Sequence, residues 1–208
     1  MRFFLGFILL MIGNLCYAQD IRQGDLFFIV EGKSEFSNAI SSATSSSDSI
    51  SFVHVAIADI DESGQIQVIE ASPHAGVRII NLQEFLDSVP KINGKPAVVV
   101  KRVISEFSPQ SAILNAKSHI GEPYDWWYLP DNGKMYCSEL IYESFRDKNG
   151  ERIFSSQPIN FKNPDGTIDI FWTRLFEKLD EKIPEGVSGT NPNSMSKEDF
   201  LENVYTFF

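Results

Sequence analysis

Five short runs of apolar and β-branched residues crowd into the first half of the chain, and they decide what it can fold into. Leu26-Phe27-Phe28-Ile29-Val30 follows Gly24-Asp25. Phe52 to Ile60 and Gln65 to Ala71 come next, and Gly76 to Ile80 and Ala97 to Val103 complete the set. These runs read as strands. Asp61-Glu62-Ser63-Gly64 is a turn sequence, so the second and third runs form a hairpin. Ser34 to Ala43 and Leu82 to Val89 have helical patterns. A further helix opens on Ser108 with Pro109 at its first position, runs to about Ile120 and stops at Gly121. Another is expected from about Cys137 to Arg146, with Leu140, Ile141 and Phe145 on one face. The Ser-rich run Thr44 to Ser51 reads as a flexible loop or a lid. From Asn149 onward, loop signals surround a short helix around Phe171 to Leu179. No internal repeat appears, and no linker is long enough to divide domains.

The first eighteen residues, MRFFLGFILLMIGNLCYA, carry one charge at Arg2, then an apolar run, then Cys-Tyr-Ala. That is the layout of a secretory signal peptide cleaved after Ala18, which implies an exported, periplasmic or extracellular protein. The apolar run is too short for a membrane-spanning helix, so no stable membrane insertion is expected. Residues 19–208 then form one domain, with 149–208 as a C-terminal extension packing on it. The net charge of −10 argues against nucleic acid as a partner. No zinc-type ligand spacing is present, and neither a metal nor an organic cofactor is expected.

Cysteine usage sharpens the reading. Of two cysteines, Cys16 leaves with the signal and Cys137 stays as a single thiol in a compartment where thiols usually pair. It is either a reactive group or a buried small hydrophobe. Cys137 stands where a loop turns into an amphipathic helix, and the free N–H groups there favour a thiolate and can hold an oxyanion. A nucleophile needs a base. His54 lies inside the apolar run Phe52-Val53-His54-Val55-Ala56-Ile57, where an imidazole must find a polar partner. His74 sits in a loop as a rim residue, and His119 at a helix end has a capping role available. Glu70 is the second polar intruder, in the facing strand, and a carboxylate there would orient the imidazole. Placing Glu70 directly opposite His54 requires an odd-length loop centred on Glu62, or a bulge at Gly64. A four-residue loop would send Glu70 to the other face.

The order Gly-Asp, strand-borne His54, Glu70-Ala71, then Tyr136-Cys137-Ser138-Glu139-Leu140 on a helix resembles the permuted papain-fold hydrolases, relatives of the NlpC-type cell-wall peptidases, and among them the YiiX/YaeF-like amidases. The similarity spans roughly Gly24 to Phe145 and is best from Gly121-Glu122-Pro123-Tyr124-Asp125 through Leu140. The resemblance implies an α+β, permuted papain-like fold: an antiparallel, partly barrel-like sheet, helices packed on one side, and the catalytic cysteine at a helix N-terminus. It implies Cys137 as nucleophile, His54 as base and Glu70 as the third member. Asp25 and Tyr124 match recurring family positions, with either a substrate-binding or a structural role. Tyr136, Trp126 and His74 join them as candidate substrate-binding residues. Trp126, Trp127 and Tyr128 either line a groove or cover the core beside the nucleophile helix.

The activity expected is cleavage of an amide, or an ester, through an acyl-enzyme on Cys137. A cell-wall peptide is the leading substrate and an N-acyl amide the next. Three alternatives stand beside it: an acyltransferase of the lecithin:retinol acyltransferase type, a binding module on the same fold, and a redox sensor. An apolar groove would favour acyl transfer, and a polar, charged one a peptide.

Overall fold

The computed structural model describes residues 20–44 and 50–208. The expected signal peptide and most of the serine run therefore lie outside the described residues.

Six strands build the main sheet: β1 (Leu26–Val30), β2 (Phe52–Ile60), β3 (Ile66–Ser72), β4 (Gly76–Asn81), β5 (Val98–Val103) and β6 (Leu201–Thr206). Their order is β6-β5-β1-β2-β3-β4, and every neighbouring pair is antiparallel. The two edges are β6 and β4, and no strand pair among the described residues joins them. The helices are α1 (Glu35–Thr44), α2 (Leu82–Ser88), α3 (Pro109–Ser118), α4 (Cys137–Ser144), α5 (Ile170–Leu179) and the single turn α6 (Pro192–Met195). Side-chain caps start several of them. Ser108 accepts from the Ser111 N–H at 3.2 Å, and Asn81 from Glu84 at 2.8 Å. Asp169 accepts from the Phe171 N–H at 2.8 Å.

Alternation along the strands splits the core into two layers. Leu26, Phe28, Val55, Ile57 and Ile69 point to the face covered by α3 and α4, where Ile113, Leu140 and Ile141 are buried. Phe27, Ile29, Ala56 and Val68 point the other way, toward Phe85 and Val89. The expectation of helices on one side is therefore corrected, because α2 packs on β3 and β4 across the second face. That face carries large apolar side chains, and the chain running from edge strand β4 to central β5 supplies their cover.

The β2–β3 hairpin departs from its expected register by one residue on each side. Ile60 pairs with Ile66, and the Asp61 N–H reaches the Gln65 carbonyl at 3.0 Å. The three-residue loop 62–64 is thus centred on Ser63, with Gly64 supplying the left-handed conformation (φ 79°) that ends such a loop. One more step along the ladder puts Glu70 against Ala56 rather than against His54. The loop length stays odd, so Glu70 and His54 still share a face, as diagonal neighbours.

Residues 149–208 pack on the rest. They add β6 beside β5 and bury Phe161, Trp172 and Phe176 in the main core. The carbonyl oxygen of the buried Asn193 side chain accepts the Phe52 backbone N–H at 2.7 Å, tying the extension to the start of β2.

Candidate active site

Cys137 is the first residue of α4, and its side chain is 4% exposed. The helix starts without a serine or aspartate cap; instead the Tyr136 N–H donates to Glu139 Oε2 at 3.3 Å. Packing of α4 on β2, β3 and α3 carries Cys137 to the end of β2 that bears His54.

Glu70 Oε2 lies 2.8 Å from His54 Nε2, and Cys137 is near enough to act on the His54 ring. With Nε2 engaged by the carboxylate, Nδ1 is the ring nitrogen left for sulfur. Burial opposes a charged ring, yet hydrogen bonds and charge from Cys137 and Glu70 outweigh it and raise the His54 pKa from 6.5 to about 10. Glu70 is held below the usual carboxylate range: burial pushes it up, but His54 and then Arg78 pull it further down. Arg78 stands directly across from Glu70 in the β3–β4 ladder. Its Nε and Nη2 donate to Glu70 Oε1 at 2.9 and 2.7 Å. One carboxylate oxygen thus serves the arginine and the other the imidazole.

Two recesses flank this row. A small apolar cavity of about 40 Å³ lies on the Cys137 side, walled by Val53, Tyr124, Tyr128, Tyr136 and Trp172. Burial pushes the phenols of Tyr124 and Tyr128 well above their usual range, so both stay neutral. Tyr136 is fixed by its hydroxyl, which accepts the Thr190 N–H at 3.0 Å. On the His54 side a wider groove of about 320 Å³ is lined by Lys33, His54, Glu70, His74, Arg78 and Phe36, among others.

The other expected site residues divide. Tyr124, Tyr136 and His74 lie at these recesses. Trp126 stands one layer back, its ring packed on Tyr124 (4.8 Å between centroids) and Phe36 (5.2 Å). Asp25 is corrected to a structural role. Buried to 1%, it receives Nε and Nη2 of Arg102 at 2.7 Å and lines neither recess. His119 ends α3 and meets Glu122 at 3.1 Å. Sequence reasoning missed Arg78, although a three-residue turn after Ser72 sets it opposite Glu70. It also missed Trp172 and Thr190, which reach the cavity from the extension.

A family model described as permuted papain-like amidase enzyme, YaeF/YiiX, C92 family, matches residues 20–205. The chain belongs to this family. It is therefore an amidase of the cysteine-peptidase type. The uncharacterised protein YiiX of Escherichia coli K12 is 23% identical over 203 residues, spanning 94% of this chain and 91% of that one. The crystal structure of the metalloprotein YiiX from Escherichia coli O157:H7 shares the fold, with a TM-score of 0.72 at 24% identity. It covers 91% of this chain and 99% of that chain. Among the described residues no helix is long and apolar enough to cross a membrane.

Proposed function

We propose that the protein is an exported cysteine amidase in which Cys137 attacks the carbonyl of an amide and His54 is the general acid and base. The observation that carries this reading is the single row Cys137–His54–Glu70, with the imidazole bonded to Glu70 and Cys137 beside it. The raised His54 pKa keeps the ring protonated at neutral pH, so it holds a proton ready for the leaving amine beside the nucleophile. Sulfur adds to the carbonyl, and the oxyanion is held by N–H groups at the start of α4. The tetrahedral adduct collapses as His54 gives its proton to the leaving amine. Water then attacks the thioester, His54 takes a proton from it, and the acid leaves with Cys137 restored.

A peptide, with cell-wall fragments as the first candidates, is the substrate class favoured by the polar, charged groove beside His54. The apolar cavity beside Cys137 favours a second reading, in which an acyl group held there passes to an amine or alcohol instead of water. The solved YiiX protein is described as a metalloprotein. In this chain no group of three or more His, Cys, Asp or Glu side chains among the described residues is arranged to hold a metal. Both Glu70 oxygens are also taken by Arg78 and His54. The residues do not fit a metal site, and no step here runs through one.

The test is trapping with an electrophilic acyl probe, alongside turnover of cell-wall peptides. Wild type should label at Cys137 and Cys137→Ala should not, and His54→Ala should lose about 100-fold or more in turnover. Normal turnover by either variant would refute the mechanism. Water and hydroxylamine as competing acceptors separate hydrolysis from transfer.

A further inference from the structure

We propose that the groove beside His54 is a carboxylate subsite, so that the amine component of the cleaved amide carries a free acid. This rests on the amidase reading above and narrows its substrate class. The direction comes from the division of labour in the row. His54 hands its proton to the leaving amine, so the recess it lines receives the amine component. The recess lined by Cys137 and not by His54 receives the acyl component.

The chemistry of the amine-side groove is that of an anion receptor. Lys33, Arg78 and His74 line it together with the imidazole of His54. Its one acidic group is Glu70, and both oxygens of Glu70 are already committed to Arg78 and His54. Among the described residues, the Lys33 ammonium and the His74 ring make no hydrogen bond or ion pair. Arg78 spends Nε and Nη2 on Glu70 and keeps Nη1, on a side chain that is 33% exposed. A guanidinium edge, an ammonium and an imidazole N–H around one recess match the acceptor pattern of a carboxylate. The chain's overall charge of −10 would repel such a ligand, which makes a locally cationic groove next to the nucleophile the more telling.

The full chain can be tested with thiol-alkylating amides. N-bromoacetyl derivatives of glycine, β-alanine and γ-aminobutyrate place an acid at three distances on the amine side, and their primary amides are the neutral controls. Alkylation of Cys137 breaks the carbon–bromine bond, forms a carbon–sulfur bond and is followed by intact mass. At least one acid should react about 10-fold faster than its amide, the scale of one charge-assisted hydrogen bond. High salt should shrink that ratio. Lys33→Gln, His74→Asn and the double variant should lower it stepwise toward one, and a ratio taken within each variant does not depend on its overall reactivity. Equal rates for acid and amide at all three lengths, with Cys137 still reactive, would overturn the subsite alone. So would an acid preference that survives both the double variant and Arg78→Gln, since the imidazolium would then explain it. If Cys137 reacts no faster than a free cysteine with either series, the amidase reading fails and the subsite falls with it.

Discussion

Glu70 gives one oxygen to Arg78 and the other to His54, and the charge balance of the row follows from that division. With His54 near 10, activity should hold through neutral and mildly alkaline pH and fall as pH passes about 10. Glu70→Gln removes a hydrogen bond and a charge that favour the imidazolium, so the alkaline limb of kcat/KM should move down by about one unit or more. Arg78→Gln releases Glu70 from a neighbour that keeps it ionised, so the acid limb should move up. A limb that stays fixed in either variant would count against the proposed linkage. Stability carries the same signature. A group raised from 6.5 to about 10 on folding contributes its full stabilisation below pH 6.5 and loses it as pH rises through 10. Glu70, held low, contributes above its usual range and loses that as pH falls through its folded value. Urea midpoints taken between pH 6.5 and 10 should therefore fall more steeply for wild type than for His54→Ala.

At the level of elements, two tight hairpins deliver the polar row. Gly76, at φ 68°, turns the chain into β4 with its Cα against the Glu122 carbonyl; a Cβ there would lie 2.2 Å from that oxygen. Gly76→Ala should cost about 1–3 kcal/mol from the backbone alone, with a further penalty from the clash. It should also lower turnover, because the same hairpin aligns Glu70 with Arg78. Chemical denaturation and a rate assay check the two halves separately. These strands were legible in the sequence because each run is apolar and bounded by Gly, Asp or Ser, and the nucleophile helix because its apolar face follows an uncapped cysteine. The face shared by His54 and Glu70 was legible only as a condition, since an odd loop gives it and a four-residue loop over Asp61 to Gly64 would not. The exact pairing was not. A loop centred on Glu62 and one centred on Ser63 have the same parity, and only the placement of Gly64 in the left-handed position chooses between them. Strand β6 escaped notice because Leu201-Glu202-Asn203-Val204 has no marked pattern of its own. It is a strand because β5 offers an edge to pair with.

Over the whole molecule, the C-terminal extension is part of the site's construction. Thr190 fixes the Tyr136 hydroxyl, Trp172 walls the cavity, and Asn193 holds the Phe52 N–H two residues from His54. Asn193→Ala leaves a buried N–H without its acceptor and should cost about 1–3 kcal/mol in urea denaturation. A loss of activity at temperatures where the variant remains folded would show that the start of β2 had shifted. Gly189 is placed so that a Cβ would strike Ile159 at 2.4 Å and the Tyr136 hydroxyl at 2.7 Å, so Gly189→Ala should disturb the cavity from the extension's side. This dependence also has a consequence in time. The ribosome makes Cys137, His54 and Glu70 well before it makes Thr190 and Asn193. A nascent chain therefore carries the thiol before it owns the wall that frames it, and residues made later are what finish the pocket.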